Sequence, residues 1–119
     1  MADTTTNLAT LKDALRQFAA EREWEPFHSP KNLAMGVAVE AAELMEHFLW
    51  VDSAASREIV HDPVKLGLVA DEMADVACHL LNLTNSLGID LSEAIQAKIA
   101  KNALKYPVEK CKGRYRVDD

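Results

Sequence analysis

The sequence predicts an all-α fold of four helices. Three observations carry that prediction. Apolar residues recur at three- and four-residue spacing over long segments, proline and glycine mark the boundaries, and no segment alternates as a strand of sheet does. With 119 residues, 49% of them hydrophobic, the chain fits one domain built on one core.

Leu8, Leu11, Leu15 and Phe18 predict a first amphipathic helix over about residues 6–22, behind threonines able to cap it. EREWEPFHSPKN then breaks the pattern, because Pro26 and Pro30 both disfavour helix at the preceding residue. A second helix is expected over residues 32–50, a long apolar run free of proline. Asp62 followed by Pro63 supplies an N-cap and a proline at the first helical position, and Gly88 can close the third helix after Leu87. Asp90 and Glu93 have the spacing of a capping box, so a fourth helix should run to about Lys105, where Tyr106-Pro107 ends it. Residues 107–119 read as a basic tail.

At about 100° per residue, the apolar side chains of the second helix, from Ala34 and Met35 to Phe48 and Leu49, cover more than half its circumference. One neighbouring helix in a small bundle cannot bury so wide an arc, so a homo-oligomer is expected.

The net charge of −6 argues against a nucleic-acid binder. Its distribution is uneven. Residues 1–95 hold six Lys/Arg against sixteen Asp/Glu, and residues 96–119 hold seven against three. The chain has no apolar run long enough to span a membrane, and its start lacks the basic and apolar regions of an export signal. Cys78 and Cys111 are too few for a disulfide framework. The expectation is a cytoplasmic protein.

Two acidic pairs interrupt the apolar helices. Glu40 and Glu43 stand one turn apart on a single face of the second helix, and Glu72 and Asp75 repeat that geometry on the third. Where those faces meet, the four carboxylates must protonate, splay into water or hold a cation. Oxygen ligands without histidine or cysteine point to a hard ion, Mg²⁺ or Mn²⁺, an ion that commonly works with phosphates. Gly36, one turn before Glu40, is expected to leave an opening for a ligand beside them. Trp24 and His28 in the first loop, with Trp50, offer faces on which a nucleobase can stack. His47 falls on the acidic face, within reach of a glutamate. Lys98, Asn102 and Tyr106 recur every four residues on one face of the fourth helix, suited to phosphate and sugar. Lys31, Lys112, Arg114 and Arg116 are further phosphate candidates.

The pattern Glu40-x-x-Glu43 followed by Glu72-x-x-Asp75 resembles the signature of the MazG-like all-α nucleoside triphosphate pyrophosphatases. EREWEPFHSPKNL (residues 21–33), HFLW (47–50) and KIAKNALKYPVEK (98–110) are similar to segments of the dCTP pyrophosphatase branch. The resemblance implies a four-helix MazG-like bundle assembled as a tetramer or dimer. It also implies hydrolysis of dCTP, a modified dCTP or another triphosphate to monophosphate and pyrophosphate, with Mg²⁺ on Glu40, Glu43, Glu72 and Asp75. Trp24 and Trp50 would flank the base, with His28 nearby. His79 departs from the tyrosine expected one turn after Asp75, which bears on base selectivity.

Two rival classes are weighed against this. A di-iron oxidoreductase needs Glu-x-x-His on long central helices, and the formal matches, Glu25 to His28 and Glu58 to His61, fall in a loop and at a helix boundary. A non-enzymatic helical interaction module would leave the carboxylates as surface charge.

Overall fold

A computed structural model describes residues 1–114, and all regular structure among them is helical. In chain order the helices are α1 (Leu8–Glu21), α2 (Pro30–Glu46), α3 (Ser53–Arg57), α4 (Pro63–Leu87), α5 (Leu91–Lys105) and α6 (Val108–Cys111). Two 3₁₀ turns cover Glu25–Phe27 and Glu58–His61. The chain falls into two compact units, Met1–Gly88 and a second that begins at Ile89. No helix of the described residues is long and apolar enough to cross a membrane.

The helix starts are set by local chemistry. Asn7, Ser29, Asp52, Asp62 and Asp90 each accept a hydrogen bond from the backbone N–H three residues on, satisfying a donor that the helix itself cannot. Pro30 and Pro63 occupy first-turn positions where a missing N–H costs nothing. Gly88 ends α4 at φ 66°, a left-handed conformation that an L side chain resists.

Four expectations about where structure begins and ends change. Helix α2 begins two residues earlier than the spacing predicts, because Ser29 caps it. It also ends at Glu46 and does not reach Trp50. Phe48 N–H donates to Met45 C=O at 2.9 Å and Val51 N–H to Phe48 C=O at 3.2 Å, so the chain tightens into three-residue turns before Asp52 caps α3. The stretch 53–61, given no structure from sequence, forms α3 and a 3₁₀ turn, and residues 108–111 of the expected tail form α6.

In the first unit α4 is the central element, with α2 and α1 packed against it. Asn85 on α4 donates from Nδ2 to the Lys12 carbonyl of α1 at 3.0 Å, which fixes the register of that pair. Ala19, Leu33, Val69 and Leu81 form the buried apolar set, joined by Thr84, whose hydroxyl donates to Leu81 C=O. Helix α2 is turned in an unusual sense. Leu33 is buried and Gly36, Glu40 and His47 are partly covered, whereas Met35, Val39, Met45 and Leu49 stay more than half exposed. Val37, Leu44 and Phe48 are partly covered as well, and Glu43 is exposed, so the covered side mixes polar and apolar groups while four large apolar side chains face out.

The second unit holds α5 and α6. Asp90 Oδ1 accepts from the Glu93 N–H at 2.9 Å, as the capping spacing predicts, and Tyr106 N–H closes α5 on the Asn102 carbonyl at 2.7 Å.

Candidate active site

Helices α2 and α4 carry the two acidic pairs to one place. Carboxylate oxygens of Glu40, Glu43 and Glu72 lie within 4.8 Å of one another. Asp75 stands outside that group of three, but its charge acts on both Glu40 and Glu72. Burial, then the adjoining Glu43 and Asp75, hold the Glu40 carboxyl above the ordinary carboxylate range, with His79 acting in the opposite sense. The Glu72 carboxyl is likewise raised by burial and by the charges of Glu43 and Asp75, and is lowered in part by His47. His47 Nε2 sits 3.9 Å from Glu72 Oε1, an ion-pair distance too long for a hydrogen bond.

One oxygen of Glu40 and one of Glu72, Oε2 in each case, are buried with no hydrogen-bond partner among the described residues. A buried acceptor without a donor is costly, and a proton or a cation relieves it. The donor set is all oxygen, borne on two rigid helices, which fits a hard divalent ion.

A pocket of about 470 Å³ opens at Asp75. Its apolar wall includes Leu15, Phe18 and Trp24, and its polar lining is His28, His79 and Asn82. The loop geometry explains how Trp24 arrives there. Glu23 takes φ 55°, which folds the chain back so that Trp24 N–H donates to the Ala19 carbonyl at 2.9 Å. The indole then meets Phe18 edge-on at 5.8 Å and His28 at 6.4 Å.

The opening expected beside Gly36 is not open. A methyl group on Gly36 would overlap Cδ2 of His79 and lie 3.0 Å from its Nε2, so the glycine makes room for the imidazole ring. His79 Nδ1 lies 2.9 Å from the Asp75 carbonyl. A carbonyl only accepts, so Nδ1 carries the proton and Nε2 is the nitrogen left for a ligand.

Trp24, His28 and His79 therefore gather at the pocket beside the carboxylates. Trp50 and Lys31 do not line it. Trp50 is 95% exposed in the turn after α2, and Lys31 is exposed near the start of that helix. Lys98, Asn102 and Tyr106 belong to the second unit, where the ammonium of Lys105 lies 5.3 Å from the Tyr106 ring. Arg116 lies outside the described residues. The two Glu-x-x-His matches form 3₁₀ segments or their ends, and neither sits on a long helix.

Sequence reasoning missed Cys78 and Asn82, both pocket residues. The signal was present as spacing, since residues 75, 78, 79 and 82 share one face of α4. Burial and then the Asp75 charge push the Cys78 thiol up, keeping it neutral.

Residues 36–116 match the MazG-like family. The chain belongs to that family. Among curated relatives, this MazG-like chain is 36% identical over 107 residues to the dCTP pyrophosphatase 1 of Rattus norvegicus, covering 87% of the chain and 63% of the relative. It is 35% identical over 101 residues to the dCTP pyrophosphatase 1 of Homo sapiens, covering 82% and 59% respectively. The chain thus spans about three fifths of the length of these relatives. Among solved structures, a pyrophosphatase from Archaeoglobus fulgidus superposes with TM-score 0.79 at 37% identity, covering 90% of this chain and 98% of that one.

Proposed function

We propose that this chain is a Mg²⁺-dependent nucleotide pyrophosphohydrolase converting a nucleoside triphosphate, by preference dCTP or a modified dCTP, to the monophosphate and pyrophosphate. The observation that carries the reading is the meeting of three carboxylates from α2 and α4, two with orphaned buried oxygens, with the charge of Asp75 acting on those two from the wall of an aromatic-lined pocket. The names of the relatives and of the Archaeoglobus structure support the reaction class.

Glu40, Glu43, Glu72 and Asp75 are the residues that would hold Mg²⁺, with Mn²⁺ able to replace it. When bound, the ion supplies charge neutralisation at the phosphates and polarises the α-phosphorus. The protein's own groups account for the rest. A glutamate of the cluster accepts the proton of a water whose oxygen bonds to the α-phosphorus, and the oxygen bridging the α- and β-phosphorus leaves with pyrophosphate. Trp24 stacks the base, and His28 borders it. His79 offers Nε2, an acceptor in the neutral ring, to an exocyclic amino group, which favours cytosine over uracil.

Lys31, Lys98, Asn102 and Tyr106 are assigned to phosphate and sugar, and Trp50 to the base, in the assembled enzyme. The outward apolar stripe of α2, with Trp50 beyond it, supports a homo-oligomer, a tetramer by preference, as the working form. Free Cys78 and Cys111 support a cytoplasmic setting, and residues 1–119 are read as one domain with a basic tail.

The test is pyrophosphate release from a panel of nucleoside triphosphates with and without Mg²⁺. The expected result is Mg²⁺-dependent turnover with dCTP or a modified dCTP preferred. A panel giving no pyrophosphate with either Mg²⁺ or Mn²⁺ would overturn the reading.

A further inference from the structure

Two asparagines stand one turn apart on α4, and they are used differently. Asn85 is tied to α1 through its Nδ2, which donates to the Lys12 carbonyl, while its Oδ1 is buried without a donor. The carboxamide of Asn82 meets no hydrogen-bond partner among the described residues, although the residue is partly buried. It lines the pocket at Asp75, and it also borders a second cavity of about 460 Å³ that shares Ala19 and His28 with the first. An amide on the wall that also carries Leu15, Phe18 and Trp24 keeps its polar atoms accessible and uncommitted, free to bond whatever enters the pocket, water or a ligand.

A carboxamide has a donor and an acceptor side by side. The Watson–Crick edge of a pyrimidine presents the complementary pair, an amino group and a ring acceptor in cytosine, or a carbonyl and a ring N–H in uracil. A base stacked on Trp24 would turn that edge along the pocket wall, where α4 supplies Asn82 three residues beyond His79 and on the same face as Asp75. We propose that Asn82 is a specificity-determining residue of this site, reading the Watson–Crick edge of the nucleobase through two hydrogen bonds. The proposal rests on the pyrophosphohydrolase reading. It adds that the substrate class is defined by an adjacent donor and acceptor on the base, and not by aromatic stacking alone.

The experiment compares wild type with Asn82→Ala and Asn82→Asp on dCTP, dUTP and a deoxyribose triphosphate that lacks a base. Because the Asn82 side chain makes no internal bond, both variants should retain the helical CD signal. Asn82→Ala is expected to lower kcat/KM for the preferred pyrimidine by about 10–100-fold, mainly through KM, as the loss of two hydrogen bonds predicts. It should leave turnover of the baseless triphosphate unchanged. Asn82→Asp, which only accepts, should lower kcat/KM for dCTP and dUTP alike, since it sets a second acceptor against the ring acceptor of cytosine or the carbonyl of uracil, and should leave the baseless triphosphate unchanged. Equal losses on pyrimidine and baseless substrates would overturn the proposal and make Asn82 a packing residue, with the hydrolase reading intact. Wild type inert on all three triphosphates would overturn both.

Discussion

Helix α4 has two seams, and they are built on opposite principles. Against α1 it uses conventional means, with Ala19 buried and the Asn85 to Lys12 hydrogen bond pinning the pair, although Asn85 Oδ1 is buried without a donor. Against α2 it places Glu40, Glu43 and Glu72 together, leaves two of their oxygens without donors, and raises two carboxyls out of their ordinary range. The first seam stabilises the fold. The second works against it in the metal-free protein, and such local conflict is characteristic of functional sites.

Substitutions can break this contrast. The largest effect is expected at the acidic seam: Glu43→Ala or Asp75→Ala should lower turnover by about a thousandfold or more while the far-UV CD spectrum stays helical. Full activity in either variant would remove these residues from the site. Next comes Leu33, the buried anchor of α2 at 2% exposure. Leu33→Ala should cost about 2–5 kcal/mol in denaturant unfolding, because the cavity it leaves cannot be refilled by rigid neighbours. At the α1 seam, Asn85→Ala should cost roughly 1 kcal/mol by the same measurement, without changing the thermal shift that Mg²⁺ produces.

The smallest effect has the opposite sign and sharpens the contrast most. Glu40 and Glu72 have raised folded-state pKa values, so folding favours their protonated forms. Their contribution is fully present below the unfolded-state pKa and is lost as pH rises through the folded one. Metal-free protein should therefore gain stability as pH falls from neutral toward the ordinary carboxylate range. Glu40→Gln should raise the metal-free Tm slightly at neutral pH, flatten that pH dependence and abolish the stabilisation by Mg²⁺. A lower Tm in this variant, measured by differential scanning fluorimetry without metal, would show that the seam is not strained by its charges.

Much of the fold was legible because helix ends obey short-range rules. Asp62, Gly88 and Asp90 act within three or four residues, so their roles can be read along the chain. The end of α2 was not legible in the same way, since an apolar run gives no reason to stop at Glu46. The stop comes from three-residue turns and from Asp52 capping a helix too short to leave a periodic signal. At the site, the Glu-x-x-Glu and Glu-x-x-Asp spacings named the faces. They could not say that His79 fills the space at Gly36, because that contact joins residues 43 positions apart on different helices.

The sequence by itself determined the helical class, the caps that start α4 and α5, and the pairing of acids on single faces, all consequences of periodicity and nearest-neighbour hydrogen bonding. Tertiary structure alone decided which faces meet. Packing α2 on α4 brought Glu40, Glu43 and Glu72 together and left Met35 and Met45 outward, brought Trp24 and His28 to Asp75, and left Asn82 unpaired where Asn85 Nδ2 is tied. Those outcomes depend on the relative rotation of two rods, a quantity fixed by contacts across the fold and carried by no local stretch of chain.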